Sequence, residues 1–147
     1  MYTVALTLHL LAATIWTGGH IVLATTILPY SIRHKDLAFI KLFENCYEKI
    51  GIPALIIQIS TGLYLMKFMM PDGVTLFDFS NPISKLISYK LILLLLTAIF
   101  AIDARLRVIP KLSEKTLWSL AWHIIPVTII SILFALVGLS FRTGLLS

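Results

Sequence analysis

Four histidines, His9, His20, His34 and His123, carry most of the chemistry available to this sequence. Two of them lie inside LHLLAATIWTGGHIVLATTILP, residues 8 to 29, a run that is otherwise almost wholly apolar. Ionisable side chains within an apolar span normally face the bundle interior and mark function. His9 and His20 are eleven residues apart. That is just over three helical turns, so both point the same way, roughly 16 Å apart along the axis. His123 stands about six residues in from the basic end of the last apolar run, and His20 about nine residues in from the same end of the first, a difference of roughly 5 Å at 1.5 Å per residue. Two neutral imidazoles at similar depth on facing helices can supply both axial ligands of a heme iron. The expected metal ligands are therefore His20 and His123. An iron closed in this way favours one-electron transfer over substrate binding at the metal.

Neighbouring residues suit the same reading. Gly18 and Gly19 precede His20 and leave room for a flat macrocycle, or for another helix, to approach the backbone. Trp16 and Trp122 can pack on such a ring. The plainer alternative is that each histidine hydrogen-bonds a Ser, Thr or carbonyl across the bundle. His9 sits at the depth of Lys90 and of Met66, Met69 and Met70. Lys90 either snorkels outward or lines a polar pocket with His9, where its ammonium would suit an acidic group such as a porphyrin propionate. His9 then serves a second heme or the propionates of the first. Thioether sulfur suits Cu(I), so His9 with Met69 and Met70 is also a candidate copper site. His34 falls among charged residues and reads as solvated, and Asp103 is expected to pair with Arg105, Arg107 or a loop lysine.

The elements that must position these side chains follow from composition. Of 147 residues, 59% are hydrophobic and 13% charged, with a mean hydropathy of +0.95. A soluble domain cannot hide that much apolar surface, so the excess faces lipid. About 20 apolar residues cross the hydrocarbon core as a helix. Four stretches qualify, at about 3–29, 50–70, 83–104 and 117–141, giving an all-α four-helix transmembrane bundle in a single domain. Continuous rather than alternating apolar runs exclude a barrel. The N-terminus lacks the basic region of a cleavable signal, so the first run is expected to stay as a span. Residues 71 to 82, PDGVTLFDFSNP, read as a turn-rich loop. FIKLFENCYEKI has helical spacing, so the second span is expected to begin as a helix before its apolar part.

Charge then orients the bundle. Of the twelve Lys and Arg, Arg33, Lys35, Lys41, Lys49, Arg105, Arg107, Lys111 and Lys115 fall in the first and third loops. The positive-inside rule puts those loops in the cytoplasm and both termini in the periplasm of a bacterial inner membrane. The net charge of +5 thus reports topology, not a nucleic-acid partner. One cysteine, Cys46, excludes an intrachain disulfide and any Cys-based metal cluster. No nucleotide or nucleophile motif is present, and no catalytic residue is assigned. A quinone or another cytochrome is the expected redox partner. Four short helices barely enclose a porphyrin, so a homodimer or a place in a larger membrane assembly fits.

Several motifs resemble known families. LHLLAATIWTGGHIVL resembles the first span of the copper resistance D (CopD) family, STGLYL (60–65) its Thr-Gly-Leu, and YKLILLLLTAIFAIDARLRVIP (89–110) its Lys-Leu-rich span with an Arg-rich turn and Pro. That resemblance implies copper handling or transport across the inner membrane. The same frame resembles HemJ, the four-span protoporphyrinogen oxidase associated with heme b. His9 matches that family's early histidine, and Lys90-Leu91 its Lys-Leu. This second resemblance implies an oxidoreductase of heme biosynthesis with His9 and Lys90 in the active site. The family's Tyr-His past the first span is only loosely echoed by His34. Its Asn-Glu-x-Pro is replaced here by WHIIP, residues 122 to 126. That departure favours a cytochrome-b-like heme site at His20 and His123, working in electron transfer or redox chemistry, over the enzyme.

Overall fold

The computed structural model describes residues 1–70 and 72–146. Helix α1 (Tyr2–Val22) continues through a π-helical segment, Leu23–Ile27, into α2 (Leu28–His34). After a tight turn comes α3 (Leu37–Met69), then α4 (Pro82–Asp103), which runs on through a second π segment, Ala104–Val108, and a 3₁₀ turn, Ile109–Lys111. A further 3₁₀ turn, Glu114–Thr116, leads into α5 (Leu117–Thr143). No strand occurs among the described residues. Four helical rods, 2–34, 37–69, 82–111 and 114–143, are each long and apolar enough to cross a membrane. A rod of 33 residues is about 50 Å long, well beyond the roughly 30 Å hydrocarbon core, so the rods project past it. Side chains such as Leu10, Leu95 and Leu139 point outward, 56%, 62% and 52% exposed, as lipid-facing positions must.

The first connection is shorter than the sequence suggests. Residues 30–49 read as a loop with a helical end, but only Lys35 and Asp36 lie outside helix. Lys35 takes the left-handed conformation, φ 53°, which turns the chain, and the Asp36 carboxylate caps α3 by accepting from Phe39 N at 3.0 Å. The early start of α3 agrees with the spacing of FIKLFENCYEKI. The second loop is tied to α4. Asn81 caps α4 by accepting from Ile83 N and Ser84 N, and the buried Ser84 hydroxyl donates to Thr75 O.

An even number of antiparallel rods leaves both termini at one end and the Lys/Arg-rich turns at the other. α1 packs against α3 and α5, and α4 against α5, while α3 and α4 make little contact with each other. Polar side chains help to hold α1 to α5. Thr17 Oγ1 donates to Ser131 O at 3.4 Å, and Thr128 Oγ1 to His20 O at 3.2 Å; such interhelical bonds recur where lipid offers no hydrophobic drive for helices to associate. The tightest apolar cluster, including Leu28, Ile40, Leu112, Leu117 and Ala121, closes the bundle at the basic end.

A histidine-lined interhelical cavity

The sparse contact between α3 and α4 leaves an open cavity of about 420 Å³ beside that apolar cluster, lined in part by its Ile40, Leu120 and Ile124. His20 of α1 and His123 of α5 both line it, as does Trp16. Depth-matching in the sequence therefore brings the two histidines to one space. Both π segments border it, through Leu23 and through Ala104, Arg105 and Leu106. A π turn inserts one residue into the helical ladder and is frequent at functional sites.

His20 has one ring nitrogen engaged and one unengaged. Its Nδ1 lies 2.9 Å from the Trp16 carbonyl, which can only accept, so Nδ1 carries the hydrogen and Nε2 the lone pair. Among the described residues Nε2 has no hydrogen-bond partner. The Trp16 ring lies against the imidazole with centroids 4.4 Å apart. Tyr47, which the sequence does not single out, supports the arrangement from α3. Its hydroxyl lies 3.0 Å from the carbonyl of Trp16 and 3.2 Å from that of Ile15, and 3.5 Å from His20 Nδ1. Gly19 makes this possible, because a Cβ there would run into the Tyr47 ring, whereas at Gly18 nothing lies within 4 Å. The glycine pair thus serves helix approach at one position and leaves open space at the other.

His123 is held differently. Its Nδ1 donates to Ser119 O at 2.8 Å, and its Nε2 lies 2.8 Å from Asp103 Oδ2. The other oxygen of Asp103 bonds Arg107 Nε at 3.1 Å, so the expected arginine pairing is present with a histidine added. Asp103 and His123 stand about equally far before and after the turn between α4 and α5, a mirror relation visible in the sequence but unused there. Trp122 corrects an expectation. It is 75% exposed and does not line the cavity, because adjacent helical residues point about 100° apart and His123 takes the inward direction. The charged lining was also missed. Arg105 NH1 bonds Glu48 Oε2 at 2.7 Å across the α3–α4 gap, and Glu44 lines the cavity beside them.

The second group forms nearer the termini. His9 Nδ1 donates to Gln58 O at 2.9 Å and lies 3.0 Å from Thr61 Oγ1, with its Cε1 packed over Gly62. The Gln58 Oε1 atom is buried without a partner. The Lys90 ammonium sits over the Phe141 ring, 5.4 Å from the centroid, beside Gly138. His34 is exposed and stacks on Tyr30, centroids 4.3 Å apart, as a solvated residue should. Among the described residues no three His, Cys, Asp or Glu side chains converge to hold a metal ion. Comparison with protein-family models, with curated proteins and with solved structures gives no match.

Proposed function

We propose that this is a heme-b-binding membrane protein of redox or electron-transfer function, in which His20 Nε2 would hold the iron in the cavity between α1, α3, α4 and α5. One observation carries the reading. A neutral imidazole, its Nδ1 already committed to a backbone carbonyl at 2.9 Å, lines an apolar cavity with Nε2 unused. Ligating histidines are characteristically held this way, the second nitrogen fixing tautomer and orientation. The cavity volume of about 420 Å³ falls within the roughly 300–1,000 Å³ of small-molecule sites. These features fit a single protein ligand to heme iron, which supplies one-electron redox chemistry when bound. Trp16 flanks the ligand and Tyr47 steadies it. The basic turns face the cytoplasm of a bacterial inner membrane, by the asymmetry of Lys and Arg.

The test is an optical spectrum of the detergent-purified protein, oxidised and dithionite-reduced, with a pyridine hemochrome count per chain. One heme b per chain, lost in His20→Ala, is expected. Absence of a Soret band from protein made with ample heme overturns the reading. Heme retained unchanged in His20→Ala overturns the choice of ligand.

A second reading has its own observation. Among the described residues Lys90 has no carboxylate partner, and the neighbouring group holds His9 Nε2 and the unpartnered Gln58 Oε1. The Lys90 ammonium suits a propionate, and the two acceptors suit pyrrole N–H groups, of a porphyrinogen near the termini, as the HemJ resemblance implies. Turnover of protoporphyrinogen by the purified protein, abolished in Lys90→Ala, is its test.

A further inference from the structure

We infer that Asp103 holds His123 away from the iron position, so that heme bound through His20 keeps one axial face open to an exogenous small ligand. The inference rests on the reading of His20 as the axial ligand. It departs from the bis-histidine site that spacing alone suggests, and it changes the class of chemistry from closed electron transfer to ligand binding at iron.

The two histidines line one cavity but are not equivalent. His20 has one nitrogen committed and one free. His123 has both committed, Nδ1 to Ser119 O and Nε2 to Asp103 Oδ2, each at 2.8 Å. The carboxylate is itself fixed, because its other oxygen bonds Arg107. Phe100 stands edge-on to the imidazole, centroids 6.0 Å apart at 81°, and backs its position. Because Nδ1 already donates to a carbonyl, Nε2 bonds the carboxylate only as a second N–H donor. Turning it toward an iron would cost that hydrogen as well as a charge-assisted bond, and would leave Asp103 short of a partner beside the cavity. Ligating histidines use carboxylates on the nitrogen remote from the metal. Here the carboxylate occupies the very nitrogen that ligation would need, since Nδ1 is taken by the helix backbone. Asp103 is thus a positioning residue, acting through His123. The ligand class is that of small uncharged molecules that bind ferrous heme, for which carbon monoxide is the probe.

Spin state and carbon monoxide binding of the heme-loaded protein test this. The wild type and His123→Ala should both show high-spin ferric heme and bind carbon monoxide when reduced. Asp103→Ala should free His123, convert the heme to low-spin and weaken carbon monoxide binding at least tenfold. The double variant Asp103→Ala/His123→Ala should return to high-spin. A wild-type heme that is low-spin, and that His123→Ala turns high-spin, overturns the inference while leaving heme binding intact. Should Asp103→Ala fail to fold, the wild type and His123→Ala decide the matter between them. Heme-free protein gives an independent readout. The ¹⁵N resonance of His123 Nε2 should shift on Asp103→Asn and that of His20 should not, and an unmoved His123 resonance overturns the inference whether or not heme binds.

Discussion

At the scale of single residues, neighbours that look alike in sequence have opposite roles. Gly18 and Gly19 are adjacent, yet only at Gly19 does a Cβ meet the Tyr47 ring. The ring cannot yield freely, because its hydroxyl bonds the Trp16 and Ile15 carbonyls and its face stacks on Phe43, centroids 5.6 Å apart. Gly19→Ala should therefore destabilise the bundle by about 1–3 kcal/mol, the usual cost of overpacking. It should also weaken heme binding, since a displaced Tyr47 no longer steadies the turn that holds His20. Gly18→Ala meets open space and should be neutral, or stabilising by about 0.5–1 kcal/mol through lost unfolded-state freedom. Thermal unfolding in detergent, read side by side for the two variants, checks this. Equal effects would mean that Tyr47 does not occupy the space beside Gly19. The same contrast separates His20 from His123. Their types and depths were legible in the sequence, but the hydrogen bonds that free one and commit the other are tertiary, and no spacing rule reports them.

At the scale of elements, caps and turns are the parts open to titration. Asn81 accepts from two amides at the start of α4. Asn81→Ala should cost about 1 kcal/mol and Asn81→Asp little, because aspartate caps as well as asparagine does. In the loop just before it, the Ser80 hydroxyl and amide donate to Asp78 and hold its carboxyl below the ordinary 3.8. A depressed acid stabilises the folded loop fully above its unfolded pKa and loses that contribution as pH falls through the lower folded value. Protection of the Ser80 and Asn81 amides, relative to the intrinsic exchange rate at each pH, should accordingly fall as pH drops below about 3.8, and Asp78→Asn should remove that step. The four rods were legible because length and hydropathy suffice to define them. The boundaries of the first connection were not, because a basic amphipathic stretch continues helix without needing lipid. The two π segments left no signal at all, since one extra residue in a helical ladder is decided by packing. Yet both border the cavity, through Leu23 and Arg105 among others.

At the scale of the whole molecule, function depends on which compartment the basic end faces. The apolar cluster and the cavity lie toward that end, and the Glu48–Arg105 pair spans the gap between α3 and α4 there. Trp118 and Trp122, 65% and 75% exposed near the start of α5, belong to the same level, where tryptophan rings favour the membrane interface over hydrocarbon. Eight basic side chains in the first and third turns and the helix ends beside them outweigh the four elsewhere, Lys67, Lys85, Lys90 and Arg142, so the basic end should be cytoplasmic. The chain carries its own reporter, because its single cysteine, Cys46, is exposed on the basic half of α3. A membrane-impermeant maleimide should leave Cys46 unlabelled in intact cells and label it in inverted vesicles. Ser80→Cys in a Cys46→Ala background, in the loop at the opposite end, should show the reverse pattern. Labelling of Cys46 from outside would invert the bundle. The cavity half would then face the outer compartment, and the His9–Lys90 group the cytoplasm.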